Sequence, residues 1–182
     1  VHNPRVVNER VLNKFIDKYN LDTANNFALN TGAYLLMNEK INYTYPEVMF
    51  FNANGNVIPY KKQNECSANA FVFIDSLSAN KTYIEDTTFG FYEINKNSFI
   101  DFKGNAKNLL HIDNYDFVML IFWTEWTGKL NSNHTKRWEY KAKNNKNAKI
   151  LVAKINCDFQ ESWPKEERNA IMKKVEERYK KN

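Results

Sequence analysis

The chain has 182 residues, 43% of them hydrophobic and 15% aromatic, and a formal net charge of +5. That length fits one domain, and so much apolar and aromatic material excludes disorder as a description of the whole chain. Two cysteines exclude a disulfide scaffold, and no uninterrupted apolar run approaches the roughly 18–20 residues that span a bilayer. The charge is uneven: residues 136–182 hold 14 Lys/Arg against 7 Asp/Glu, while the other 135 residues carry a net −2. A basic tail of this kind suits nucleic acid or an acidic surface. Its interruption by Glu139, Glu161, Glu166, Glu167, Glu176 and Glu177 suits solvated helix faces better. Asparagine, at 28 residues, is far above what turns need and reads as genome composition, so the sequons beginning at Asn42, Asn80 and Asn133 are what chance yields. The first residue is Val1 rather than Met, which reads as a processed or trimmed product with any signal or lipid anchor upstream.

In chain order, Val7, Val11, Phe15 and Tyr19 recur every four residues and predict an amphipathic helix over 5–19, widened by Leu12 and Ile16. Asp22 or Thr23 can cap a second helix over 24–38, weakened by Gly32. Two β-prone runs between Pro46 and Tyr60 flank Asn54-Gly55, the pair best suited to a tight hairpin. Residues 68–77 read equally as a strand or a short buried helix. The stretch 79–105 suggests a strand or two and a loop, and a short helix is expected around 105–112. Phe117–Trp123 is apolar at every position, as a strand covered on both faces must be. A basic helix over 130–144, an apolar strand over 149–156 and a final helix after Pro164 complete the pattern, with Ile171, Val175 and Tyr179 as the last stripe. The two strands of the unit 117–156 must be parallel, because a β-α-β crossover is right-handed.

The segment Phe122-Trp123-Thr124-Glu125-Trp126-Thr127-Gly128-Lys129-Leu130 resembles the active-site segment of thioredoxins, where a buried strand ends in Phe-Trp-Ala-Glu-Trp and enters Cys-Gly-Pro-Cys at a helix N-terminus. Val152-Ala153-Lys154-Ile155-Asn156-Cys157-Asp158 is similar to that family's following strand, so the resemblance covers residues 115–158. Tyr45-Pro46-Glu47-Val48-Met49-Phe50-Phe51 with Asn54-Gly55 is similar to the family's hairpin opened by a cis-proline, but it precedes the active-site unit instead of following it. Either the chain is a circularly permuted or elaborated thioredoxin-like domain closing one sheet, or the hairpin belongs to an unrelated N-terminal subdomain. One sheet is preferred. The expected fold is then a single α/β domain over 1–182: N-terminal helices over 5–38 as an extension, the hairpin over 46–60, and a thioredoxin-like mixed sheet flanked by helices built around the unit 115–181.

The family's chemistry is missing from the matching positions. A thioredoxin needs a thiolate at the helix N-terminus and a second thiol to resolve the mixed disulfide. Here those positions hold Thr127 and Leu130; Lys129 replaces the intervening proline, and Ile121 matches the family's buried acid. A threonine hydroxyl cannot substitute without an adjacent base. If one sheet forms, three strand spacings separate Cys66 from Cys157 by roughly 14 Å, beyond the roughly 7 Å a bridge allows, so two buried or half-buried free thiols are expected. His2, His111 and His134 lack metal-site spacing, and with five glycines the chain has no phosphate-cradling motif. His134, near Lys136 and Arg137, is a weak candidate for holding an anion and reads first as a solvated helix residue. No metal and no cofactor are expected.

The favoured reading is a non-catalytic protein- or peptide-binding module. Its candidate groove comprises Trp126, Thr127, Gly128, Lys129, Tyr45 and Pro46, since in the resembled family the surface beside the cis-proline contacts extended polypeptide. A thiol-dependent redox protein using Cys66 or Cys157 is the alternative, and a basic nucleic-acid-binding domain the second. The resemblance, with the Asn/Lys-rich composition and the missing initiator Met, implies the mature part of an exported bacterial protein of the cell envelope or periplasm, such as a lipoprotein.

Overall fold

The computed structural model of the chain describes residues 5–62, 65–107 and 112–181. It opens with a short strand, β1 (Val6–Val7), and a helix, α1 (Glu9–Tyr19). The stripe that predicted one helix over 5–19 is interrupted at Asn8, whose side chain accepts the Val11 N–H at 3.1 Å and caps α1. Val7 is therefore a buried strand residue. The predicted helix over 24–38 divides in the same way. β2 (Asn26–Leu29) comes first, and Asn30, not Asp22 or Thr23, caps α2 (Thr31–Lys40) by accepting the Ala33 N–H at 2.9 Å. Asp22 instead accepts the Ala24 N–H in a turn.

The expected hairpin is present as β3 (Glu47–Asn52) and β4 (Asn56–Val57). Gly55 has φ +81° there, and a Cβ on it would lie 2.6 Å from the Tyr92 ring, so the position needs glycine twice over. Residues 69–76 form a helix, α3 (Asn69–Ser76), which settles the open choice over 68–77. Between β5 (Asp86–Gly90) and β6 (Phe99–Ile100) lies a helix, α4 (Phe91–Asn97), that the sequence did not announce. β7 (Ala106–Lys107) stands where the predicted helix over 105–112 would begin; residues 108–111 of that segment are outside the described residues. β8 (Phe117–Trp123), a 3-10 turn over Glu125–Thr127, α5 (Lys129–Lys143), β9 (Ile150–Asn156), β10 (Phe159–Gln160) and α6 (Lys165–Lys181) follow.

Among the described residues eight strands form one mixed sheet in the order β5-β4-β3-β8-β9-β2-β6-β7, while β1 and β10 pair in parallel as a separate ribbon. β8 lies parallel to β9 along its whole length, from Phe117 opposite Ile150 to Trp123 opposite Asn156. On its other edge β8 is antiparallel to β3, from Glu47 opposite Phe122 to Asn52 opposite Phe117. The hairpin thus shares the sheet with the 117–156 unit. The expected N-terminal helical extension is not an extension: β2 lies inside the sheet, parallel to β9 and antiparallel to β6. Asn26–Leu29 has no alternation of its own to set it apart from the longer helix-like pattern around it.

β8 distributes its side chains by strict alternation. Val118, Leu120 and Phe122 join the core shared with α2 and α6; Phe117, Met119 and Ile121 join the one shared with α3 and α5. Trp123, at the strand end, passes to a third cluster, where it stacks on Phe15 of α1 with ring centroids 5.0 Å apart. On β9, Lys154 takes a core position with its side chain fully buried. Its Nζ meets Glu139 Oε1 of α5 at 2.6 Å and donates to the Ala24 carbonyl at 3.0 Å. Burial holds the Lys154 ammonium below its ordinary range, and Glu139 opposes that shift. Removing one partner of such a pair strands the other charge. Glu139→Gln is therefore expected to destabilise the fold by about 3–5 kcal/mol, read as a lower denaturant midpoint at unchanged slope. Combining it with Lys154→Met should recover much of the loss.

Candidate functional site

The sheet end that carries the candidate residues is built from two chain segments more than seventy residues apart. β8 runs out at Trp123 into buried Thr124 and the Glu125–Thr127 turn, and Gly128 leads into α5. Gly128 has φ +56°, a conformation side chains rarely adopt, and so permits the sharp change from turn to helix. Across the β3–β8 pairing, the Tyr45–Pro46 peptide bond is cis and immediately precedes β3. The Tyr45 and Trp126 rings meet edge to face, with centroids 6.0 Å apart and planes at 82°. Pro46 is buried, Tyr45 and Trp126 are half-buried, and Lys129 and Leu130 are exposed.

Cavities open near both segments. One of about 530 Å³ is lined by Thr44, Glu47, Tyr60, Cys66 and Ser67, among others. Part of its polar wall is engaged: the Tyr60 hydroxyl and Lys61 Nζ both donate to Glu47, and Ser67 Oγ donates to the Pro46 carbonyl at 3.2 Å. Burial and the Glu47 carboxylate push the Tyr60 phenol upward, so it stays a donor. The other, of about 370 Å³, lies between α1 and the turn, with Lys14, Lys18, Tyr19, Glu125 and Gly128 in its walls.

Thr127 is spent on local structure. Its hydroxyl lies 3.1 Å from Thr124 Oγ1 and donates to the Thr124 carbonyl at 3.2 Å. The Asn131 amide also donates to that carbonyl. None of these partners is a base, so the geometry gives Thr127 no nucleophilic activation. His134 is half-buried rather than a solvated helix residue: its ring lies 5.7 Å from Phe71 and 5.2 Å from Trp138, and its Nδ1 is 3.1 Å from the Leu130 carbonyl. His2 and His111 fall outside the described residues. Among the described residues no three His, Cys, Asp or Glu side chains are grouped to hold a metal, and no helix is long and apolar enough to cross a membrane.

Sequence reasoning passed over the polar floor beneath the turn. Asp158 is buried, and its Oδ2 accepts the Glu125 N–H at 2.6 Å and the Asn156 amide at 2.8 Å. Asn156 Oδ1 in turn accepts Asp158 N–H at 3.1 Å and Gln160 Nε2 at 2.8 Å. Burial pushes the Asp158 carboxyl up from its ordinary 3.8 to about 7. A signal for this cluster was present: Asn156, Asp158 and Gln160 continue the strand's alternation with polar residues, between Cys157 and Phe159.

Comparison of the chain with protein-family models, with curated proteins and with solved structures finds no match.

The two cysteines are free and unlike each other. Cys66 is exposed at the rim of the larger cavity, correcting the expectation of two buried or half-buried thiols. The segment after β4 leaves the sheet before α3, which puts Cys66 outside the core. Cys157 is buried, and burial pushes its thiol well above the ordinary value. An aromatic disulfide reagent should therefore titrate one thiol per native chain and two after denaturation. Cys66→Ser should remove the native-state reaction and leave Cys157 reactive only in the unfolded chain.

Proposed function

We infer that this chain is a permuted thioredoxin-like module that binds extended polypeptide without redox chemistry, at the surface formed by Tyr45, Pro46, Trp126, Thr127, Gly128 and Lys129. The observation that carries the reading is the packing of Tyr45 against Trp126, which sets the Tyr45–Pro46 segment beside the turn at the start of a strand antiparallel to β8. In the resembled family, the active-site strand likewise has the following strand parallel on one edge and the cis-proline hairpin on the other. Here the hairpin precedes the unit in the chain, and the order β4-β3-β8-β9 in the sheet is the support for permutation. With Thr127 and Leu130 where the thiols would be, the surface keeps aromatic and backbone groups that suit a peptide and lacks the groups that exchange disulfides. Localisation in a bacterial envelope remains part of the same proposal.

Thiol chemistry is the second reading, and the exposure of Cys66 beside a cavity favours that residue over Cys157. Binding of nucleic acid through the basic C-terminal third would instead show a steep loss of affinity with salt.

A peptide-array screen followed by titration of the best extended peptides tests the principal reading. Truncating an aromatic anchor at the centre of an interface costs about 2 kcal/mol or more, so Trp126→Ala should weaken binding more than tenfold. Cys66→Ser should leave it intact. Equal affinity for the wild type and Trp126→Ala would remove the proposed surface.

A further inference from the structure

Asp158 is a carboxyl group sealed beneath the turn that carries Trp126, and only one of its two oxygens is paired. Oδ2 is held by the Glu125 N–H and the Asn156 amide, while Oδ1 is buried with no partner among the described residues. An ionised carboxylate requires donors on both oxygens or water. Among the described residues no donor reaches Oδ1. Burial is what disfavours the charge; the Glu125 N–H and the Asn156 amide favour it at Oδ2 without offsetting the burial, the Glu125 carboxylate disfavours it further, and Arg5, just before β1, favours it. The adjacent Cys157 thiol is buried, the Gln160 amide already donates to Asn156 Oδ1 and to the Asp158 carbonyl, and the Tyr34 hydroxyl of α2 donates to the Cys157 carbonyl at 3.2 Å. Arg168 of α6 is engaged with the Glu161 carbonyl at 2.8 Å.

The turn above it is held by few contacts. Its first N–H goes to Asp158, the Thr124 carbonyl receives Asn131 and Thr127, and the Trp126 indole N–H is buried without an acceptor among the described residues. We propose that Asp158 is a proton-operated latch on the Glu125–Thr127 turn: the neutral acid seats the turn, and loss of the proton draws water to Oδ1 and loosens it. The oxygen–hydrogen bond breaks, the proton goes to solvent, and no other group changes its bonding. The value of about 7 for this carboxyl puts the transition near neutrality. Its sign is fixed. The folded chain keeps a proton that the unfolded chain releases from about pH 4, so this group's contribution to stability falls as pH rises from about 4 to 7 and is constant above.

The latch does not require a partner; its effect on peptide docking rests on the reading given above. The test is made on the full chain alone. The carboxyl carbon of Asp158, the Glu125 amide and the Trp126 indole N–H are followed by NMR from pH 5 to 9. All three should move with one midpoint near 7, and the Glu125 and Trp126 shifts should be absent in Asp158→Asn. The melting temperature of the wild type should fall relative to that variant between pH 4 and 7. A carboxyl carbon that titrates near 4, or Glu125 and Trp126 signals that stay flat or titrate equally in the variant, would overturn the latch. Should Asp158→Asn not fold, the carboxyl and turn midpoints in the wild type still decide. Failure of peptide binding leaves these signals unaffected, so the two proposals fail separately.

Discussion

Strand β8 governs the architecture. All seven of its residues are buried, so both its faces need covering layers and both its edges need hydrogen-bonding partners. Only one edge can be supplied by the strand that follows it through the α5 crossover. The other must be filled from elsewhere in the chain, and β3 is the segment that fills it, six residues in register. Once that happens, the rest is constrained: the residues before β3 come to the end of the sheet where β8 turns, and the aromatic ring of Tyr45 arrives against Trp126. The candidate surface is a by-product of satisfying one strand's backbone.

What was legible in the sequence follows from the range of the interactions involved. The strand 117–123, apolar throughout, the mostly apolar strand 150–156, and a hairpin marked by Asn54-Gly55 carry their signal locally and were read correctly. The pairing of β3 with β8 was also readable, because an unpaired buried edge leaves few candidates. The N-terminal third was misread for a local reason as well. Val7 and Phe27 sit at helical spacing from later apolar residues, and the capping asparagines at 8 and 30 were lost among 28 asparagines. β2 is a strand because β9 and β6 receive it, which no local pattern states.

The candidate site was legible in its rim and hidden in its floor. The six rim residues came from the resemblance to thioredoxins in two short segments. Asp158 stood within the quoted segment, but its role depends on which donors the fold leaves beside each oxygen, and that is a matter of three-dimensional packing. The same holds for Lys154 and Glu139, which sit 15 positions apart and meet because α5 lies over β9. Cys66 shows the converse error: placing it next to the hairpin strand in one sheet implied a buried or half-buried thiol, while the path of the chain between β4 and α3 put it outside.

The parallel pairing of β2 with β9 has a consequence for how the molecule is assembled. Asn26 to Ala28 lie opposite Lys154 to Asn156, so one of the earliest strands to emerge in synthesis waits for one of the latest. The β3–β8 pairing spans about half that distance. Among the central pairings only β8–β9 joins strands that are near neighbours in the chain, and even these are linked through a helix. Contacts of such long sequence separation close large loops and slow the search for the native topology. A nascent chain of the first hundred residues would hold β2 and β3 with exposed apolar faces and unmatched edges. The two halves of this sheet are therefore not independent folding units, and a cut between α4 and β8 would leave neither with a complete interior.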